Sequence, residues 1–406
     1  MSSRLSPQRV ARFAVKRVPR APGQLRIAMF TEAYPPIISG VAVATATLVE
    51  GLRALGHEVD VYAPWHPDQP PPEPGLERLR AWSTSFPGWI PLSFPLTPVG
   101  LARIAARDYD VVHTQHPFTL GTAARMLARW VDLPLVCTIH TQYEQYVHYW
   151  SPMSDPGKVI VRRIVREFCN KCDRVVTVAD GMETLLRNYG VEVPIIVIPN
   201  DLDLRRFLTA DGQGVREELK IAPDERFLLS VGRIAPEKNL ILLIEAIAPI
   251  LYRGGAKMVF VGDGPGRDDL EKRVDELQLR EHVIFTGKVP HEQTPRYYAA
   301  ADLFLMPSIT EVNPLTIGES LASGTPVVAI DSFSAREIIE EGVTGQIVPH
   351  LASALALAVD ALVREPETLK QMGQTAREAA RHRSEKSAAG RTVQLYQELI
   401  ASRAAK

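Results

Sequence analysis

Arg233 and Lys238 stand five residues apart in V-G-R-I-A-P-E-K-N-L, which follows an apolar strand pattern and opens a helix pattern. A guanidinium gives forked hydrogen bonds and an ammonium a compact charge, so this pair at a strand's carboxyl end suits a diphosphate. Glu311 and Glu319 stand eight apart in P-S-I-T-E-V-N-P-L-T-I-G-E-S-L-A-S-G. Glu311 falls in a loop. Glu319 falls inside a helix that Pro314 suits at its first turn and Gly324 stops. The first N–H groups of that helix, at Leu315 and Thr316, have no partner within it and point toward an anion. The glycines of F-V-G-D-G-P-G (Gly262, Gly264, Gly266) permit close backbone approach but form a weak dinucleotide signal, since no ribose-binding acid is placed beyond them. Gly40, after Pro35-Pro36, lies at the first strand-to-helix turn, where backbone N–H groups can cradle phosphate. His140 ends a strand, and an imidazole there is placed for more than core filling.

The elements that must hold these residues alternate. Leu25–Thr31 reads as a buried strand, Val41–Leu55 as a helix and His57–Ala63 as a second strand. The rhythm continues through strands Val111–Thr114, Leu135–His140, Arg174–Val178 and Ile195–Ile198, with helices between. It breaks at Pro199–Gly214 and restarts with strands Phe227–Val231, Met258–Val261, Val283–Thr286, Leu303–Pro307, Val327–Ile330 and Gly345–Val348. Repeated β–α–β units with apolar strands imply parallel sheets covered by helices. The expected division is a tail at 1–24, a domain at 25–198, a linker at 199–214, a second domain at 215–375 and a C-terminal helix at 376–406. In such sheets ligands bind at the carboxyl ends of the strands, and two domains facing one another would hold a ligand in a central cleft. Pro64–Pro74 must be loop. The apolar, Pro-rich Phe86–Pro98 reads equally as a loop packed on its own domain or as an acceptor or membrane contact.

The 406 residues carry 46 Lys+Arg and 47 Asp+Glu, a formal charge of −1. That excludes an overall electrostatic nucleic-acid binder. The balance is a cancellation, because Arg4, Arg9, Arg12, Lys16, Arg17 and Arg20 crowd a tail without acids. The tail reads as a disordered extension or as a segment that lies on anionic lipid. Three cysteines, Cys137, Cys169 and Cys172, make no disulfide framework. Without a second ligand pair, Cys169-x-x-Cys172 reads as core thiols rather than zinc ligands. No apolar run reaches membrane-spanning length and no signal-peptide core appears, so the expected location is cytoplasmic.

Together these motifs resemble the retaining glycosyltransferases of family four, with the α/β GT-B fold of two doubly wound, Rossmann-like domains and a helical C-terminal tail. The residues that carry the likeness are T-E-A-Y-P-P-I-I-S-G-V, G-H-E-V-D-V-Y-A-P, V-G-R-I-A-P-E-K-N, V-G-D-G-P, the Glu311-to-Glu319 spacing and S-G-T-P-V-V-A. Within that family, V-V-H-T-Q-H-P-F-T-L-G and T-I-H-T-Q-Y-E-Q-Y-V-H-Y look like the diacylglycerol glucosyltransferases. The resemblance implies that Arg233 and Lys238 hold the donor diphosphate, aided by the backbone at Gly40, Leu315 and Thr316. Glu311 and the backbone near Asn313 and Pro314 would bind the donor sugar. Glu319, Gly262 and Val289 would meet the nucleoside. His140 would sit near the anomeric carbon and the sugar's 6-hydroxyl, so His140 and Glu311 are the catalytic candidates.

Two departures from the family pattern matter. Val312-Asn313-Pro314-Leu315 stands where the family commonly has Gly-Phe-Gly-Leu, and Pro314 has no N–H to offer the sugar. Asn200-Asp201-Leu202-Asp203 makes a D-x-D in the linker, and Asp108-Tyr109-Asp110 a second; both read as accidents, and no metal and no resident cofactor are expected. The reaction implied is hexosyl transfer from a nucleotide sugar, UDP-glucose or a related UDP-hexose, to a lipid, diacylglycerol. A peripheral contact with the inner face of the cell membrane goes with that reading. Alternatives are a GDP-mannose-dependent transferase acting on a lipid or polyol, a nucleotide-sugar hydrolase or epimerase, and a non-catalytic binding protein.

Overall fold

The computed structural model describes residues 20–37, 39–69, 71–82, 92–93, 98–149, 154–200, 204–383 and 387–405. The chain divides into two compact units, Met1–Asp201 with Ser387–Lys406, and Leu202–Lys386.

The first unit is built on a parallel sheet. Its strands are β1 (Arg26–Phe30), β2 (Glu58–Pro64), β3 (Leu76–Leu79), β6 (Val111–Thr114), β7 (Leu135–Ile139), β8 (Arg174–Thr177) and β9 (Ile195–Val197), in the order β3-β2-β1-β6-β7-β8-β9. Between β3 and β6, the short antiparallel pair β4 (Ala81–Trp82) and β5 (Leu92–Ser93) lies apart from the sheet. Helices α1 (Gly40–Ala54), α2 (Pro98–Ala105), α3 (Thr119–Val131), α4 (Ser154–Cys169) and α5 (Asp180–Asn188) make the crossovers. The central strands are buried along their length because helices cover a parallel sheet on both faces. Sheet order reverses between β1 and β6, which places the ends of β1 and β6 at a topological switch point, with β7 next to β6.

The second unit repeats the plan. Its strands are β10 (Arg226–Val231), β11 (Ala256–Val261), β12 (Val283–Gly287), β13 (Leu303–Met306), β14 (Val327–Ile330) and β15 (Gly345–Val348). Their order β12-β11-β10-β13-β14-β15, all parallel, is that of a dinucleotide-binding domain, with its switch point between β10 and β13. Its helices are α6 (Arg205–Leu208), α7 (Val215–Glu218), α8 (Leu240–Tyr252), α9 (Arg267–Glu276), α10 (Thr294–Ala300), α11 (Leu315–Ser323), α12 (Phe333–Ile338), α13 (Ala352–Val363) and α14 (Pro366–Arg383).

Several boundaries differ from those read in the sequence. The segment expected as linker folds into the second unit from Leu204, because Leu204 and Phe207 are buried in its core, the Phe207 ring 5.8 Å from that of Tyr298. The C-terminal segment is not one helix over 376–406. Helix α14 already begins at Pro366 and buries Leu369, Met372, Ala376 and Ala380 in the second unit. A new helix, Ala388–Ala404, then starts where Ser387 Oγ accepts the Gly390 N–H at 3.3 Å. Its apolar stripe of Ala388, Leu395, Tyr396 and Leu399 joins the core of the first unit, where Ala389 crosses α1 at Gly51. Strand β3 was missed because L-E-R-L is a short, charged edge strand with little apolar alternation. Leu92–Ser93 is strand and Pro98 opens α2, within a stretch read as loop. The rest of Phe86–Pro98 and the tail residues 1–19 lie outside the described residues. The three cysteines are buried and free, in keeping with core thiols.

The glycines of V-G-D-G-P-G have a packing reason. Gly262 has φ +138, and a Cβ there would lie 1.9 Å from the Gly232 carbonyl oxygen. The loops after β10 and β11 are laced together by Gly232 N–H to Val261 O (2.9 Å), Ile234 N–H to Asp263 O (3.1 Å) and Gly266 N–H to Ile234 O (3.0 Å). Gly262→Ala should therefore destabilise the protein by roughly 2–4 kcal/mol, read from denaturant unfolding. A change of less than about 0.5 kcal/mol would contradict this packing role.

Candidate functional site

The loops that leave β10 and β13 carry the charged residues of the second unit. After β10 the chain turns through Gly232 and Arg233 and forms a short 3-10 turn at Pro236–Lys238 before α8. After β13, residues 307–314 make the loop that holds Glu311. Because β10 and β13 are neighbours at the switch point, residues 73 apart in sequence meet there, and Lys238 Nζ forms an ion pair with Glu311 Oε1. Beside it, Arg233 is paired with the buried carboxylate of Glu237.

Burial pushes the Glu311 carboxyl up, but the charge and hydrogen bond of Lys238, a hydrogen bond from Ser308 and the charge of Arg233 outweigh it and hold Glu311 below the ordinary carboxylate range. Glu311 is thus ionised at neutral pH. The group of four, Arg233, Glu237, Lys238 and Glu311, holds two cations and two carboxylates. The two cations are fixed in place before any ligand arrives.

Helix α11 begins at Leu315. Pro314 occupies the N-cap rather than the first turn, with φ −70 and ψ 102, and its carbonyl accepts the Ile317 N–H at 3.1 Å. The N–H groups of Leu315 and Thr316 precede that first bond, as the first turn of a helix leaves them. Asn313 is half-buried in the loop just before. Gly324 ends the helix in the left-handed conformation, φ +80. Glu319 lies buried within α11, and both its oxygens are engaged. His291 Nε2 lies 3.0 Å from Oε1, and Tyr298 Oη donates to Oε2 at 2.9 Å. Burial, followed by the nearby carboxylate, pushes the Tyr298 phenol well up, so it stays a donor. The hydrogen bond to Glu319 raises His291 above its ordinary value against the opposing effect of burial. Val289, half-buried, follows β12 on this side of the unit.

Gly40 and His140 belong to the first unit. Gly40 is the first residue of α1, where Ser39 Oγ caps the helix by accepting the Ala42 N–H at 3.1 Å. His140 follows β7, and its Nε2 lies 2.7 Å from Gln115 Oε1, one residue beyond β6. Burial lowers the His140 imidazole to about 4, so it is neutral at pH 7. Glu32, two residues after β1 ends at Phe30, anchors this corner. Its Oε1 accepts from Thr119 Oγ1 at 2.8 Å and from Leu120 N–H at 3.0 Å, which caps the N-terminus of α3. Its own N–H donates to His116 Nδ1 at 3.2 Å.

Glu32, His113, Gln115, Glu237, His291 and Tyr298 were not picked out in the sequence. For Gln115, the signal was its place directly after a buried strand in H-T-Q-H; for Glu237, its place between Arg233 and Lys238. The D-Y-D turn is structural, since Arg20 pairs with Asp110 (2.6 Å) and Asp108 (3.0 Å). Asp201 and Asp203 lie outside the described residues, and among those described no cluster of His, Cys, Asp and Glu suits a metal ion.

Two sequence families match. "Glycosyltransferase Family 4" covers residues 38–206 and "Glycosyl transferases group 1" covers 213–379. Alpha-monoglucosyldiacylglycerol synthase of Streptococcus pneumoniae (strain ATCC BAA-255 / R6) is 32% identical over 357 residues, 84% of this chain and 79% of the relative. The protein of the same name from Acholeplasma laidlawii is 29% identical, over 80% of this chain and 87% of its own. Among solved structures, sucrose-phosphate synthase from Thermosynechococcus elongatus superposes with a TM-score of 0.77 at 23% identity, over 93% of this chain and all of the other.

The His291–Glu319 pair carries a pH signature. With the folded-state value raised, its stabilisation is fully present below the unfolded value of 6.5 and is lost as pH rises through the folded value. His291→Ala should therefore lower the melting temperature more at about pH 6 than at about pH 9. An equal effect at both would show that the pair is not charged.

Proposed function

Since the chain belongs to the family 4 glycosyltransferases of the GT-B fold, we propose that it transfers a glucosyl or related hexosyl group from a UDP-sugar to diacylglycerol, with retention at the anomeric carbon. The observation that carries this reading is the preformed Arg233–Glu237 and Lys238–Glu311 cluster at the switch point of the second unit. Cleavage of the bond between the anomeric carbon and the diphosphate puts negative charge on the leaving oxygen. Preorganised cations stabilise that charge best, because they need no rearrangement as it develops. Arg233 and Lys238 take the diphosphate, together with the N–H groups of Leu315 and Thr316. Glu319 holds the ribose hydroxyls, with Gly262 and Val289 near the nucleoside. Glu311, kept ionised by Lys238, and the backbone near Asn313 and Pro314 orient the sugar.

The acceptor hydroxyl attacks the face the diphosphate leaves, and its proton passes to the departing phosphate oxygen. The new bond joins the anomeric carbon to the acceptor oxygen, and the nucleoside diphosphate carries away the proton. No resident cofactor enters this scheme. Diacylglycerol is supported as acceptor by the likeness to two relatives named for a glucosylated diacylglycerol.

A lipid surface also suits helix α4. Val159, Ile160 and Ile164 are 63%, 56% and 40% exposed, among Lys158, Arg162, Arg163 and Arg166. An apolar face rimmed by cations fits anionic lipid. Among the described residues no helix is long and apolar enough to cross a membrane, so the contact proposed is peripheral.

The test is incubation with UDP-glucose, UDP-galactose or GDP-mannose, with and without diacylglycerol vesicles, measuring nucleotide release and glycolipid mass. The proposal expects a hexosyl-diacylglycerol from a UDP-sugar. Glycolipid from GDP-mannose alone would replace the donor, and release independent of vesicles would point to a hydrolase. Arg233→Ala and Lys238→Ala should each lower kcat/KM by about 100-fold or more. Binding to anionic vesicles should weaken with salt and on deletion of residues 1–24; binding unchanged by both would remove the electrostatic membrane contact.

A further inference from the structure

We propose that Gln115 is a positioning residue that fixes His140 in its Nε2–H tautomer and so presents the Nδ1 lone pair to a substrate hydroxyl. This rests on the reading of His140 as a residue that touches substrate.

Gln115 is fully buried, directly after β6. Its amide nitrogen lies 2.9 Å from Met29 Sδ on β1. A thioether sulfur accepts and cannot donate, so the amide nitrogen must face it and the amide oxygen must face the other way. That oxygen is 2.7 Å from His140 Nε2. A carbonyl oxygen only accepts, so Nε2 carries the ring proton, and Nδ1 of the neutral ring is left bare.

The Nδ1 atom is buried with no hydrogen-bond partner among the described residues. His140 also lines, with Thr138, Asn200 and Thr392, a cavity of about 20 Å³, room for one water-sized group. An acceptor buried without a donor is destabilising. A ligand hydroxyl that donates to Nδ1 removes that penalty, and only this tautomer can receive it. The neighbouring ionisable rings, His113 and His116, are both lowered to about 3 by burial and the proximity of His140, so neither adds charge here near pH 7.

The test uses the full chain with its histidine rings labelled with nitrogen-15, the His140 signals being assigned by their loss in His140→Ala. In the wild type, His140 should show the proton on Nε2. Gln115→Met, which keeps the bulk and lacks the carbonyl, should mix or invert the tautomer. It should also lower kcat by about 10- to 100-fold, with much less change in the KM for the sugar donor. Gln115→Glu keeps an acceptor but places a carboxylate beside the ring. It should raise the pKa of His140 and lower kcat on the acid side, with recovery at alkaline pH, a response that a packing role alone would not produce.

A wild-type ring protonated on Nδ1 overturns the proposal. So does Gln115→Met with wild-type tautomer and kcat. If Gln115→Met does not fold, the wild-type tautomer and the pH profile of Gln115→Glu decide. If instead His140→Ala keeps full turnover, the reading of His140 as a substrate contact fails, whatever the tautomer.

Discussion

The ion pair between Lys238 and Glu311 organises the second unit's site, because it ties together two loops that the topology drives apart. From β10 the chain departs toward β11, and from β13 it departs toward β14. The loops diverge at that point and leave a crevice. Glu311 sits in the crevice with only 19% of its side chain exposed, where an unpaired carboxylate would be strongly destabilising. Lys238 offsets most of that penalty and the charge of Arg233 offsets more of it, so the carboxylate remains charged. Buried ion pairs seldom add net stability over apolar packing. What this one contributes is position: a cation and an anion held where a charged ligand would arrive.

Close backbone approach does the rest of the positioning there. The loop after β11 can lie against the loop after β10 only because Gly262 has no Cβ to meet the Gly232 carbonyl. The same contact limits where Arg233 can lie, since the bonds between Ile234 and Asp263 and between Gly266 and Ile234 fix the backbone beyond it. Further along, Glu319 is clamped from both sides by His291 and Tyr298, which fixes the orientation of its carboxylate.

The first unit uses neutral polar groups instead of charges. His113 bonds Tyr396 Oη (2.6 Å) through Nδ1 and Thr138 Oγ1 (2.7 Å) through Nε2, so the C-terminal helix reaches the strand beside His140. Glu32 is the exception. Burial raises its carboxyl above the usual range against the bonds from Leu120 and Thr119. Its place at the start of α3 joins the end of β1 to the turn after β6.

Much of this was legible in the order of residues. Apolar runs separated by helix-length segments located the strands flanking each switch point, since parallel strands covered on both faces must be apolar throughout. Arg233, Lys238, Glu311 and Glu319 stood out because charged residues at strand ends and helix starts follow from local pattern alone. Tertiary structure alone decided who pairs with whom. Lys238 with Glu311, Gln115 with His140 and Met29, His291 with Glu319 and Tyr396 with His113 are contacts across 25 to 283 positions for which local periodicity holds no signal. The C-terminal segment makes the same point. Its helical character follows from composition, but its division between the two units depends on which core each apolar stripe meets, and that surface exists only once both sheets have formed.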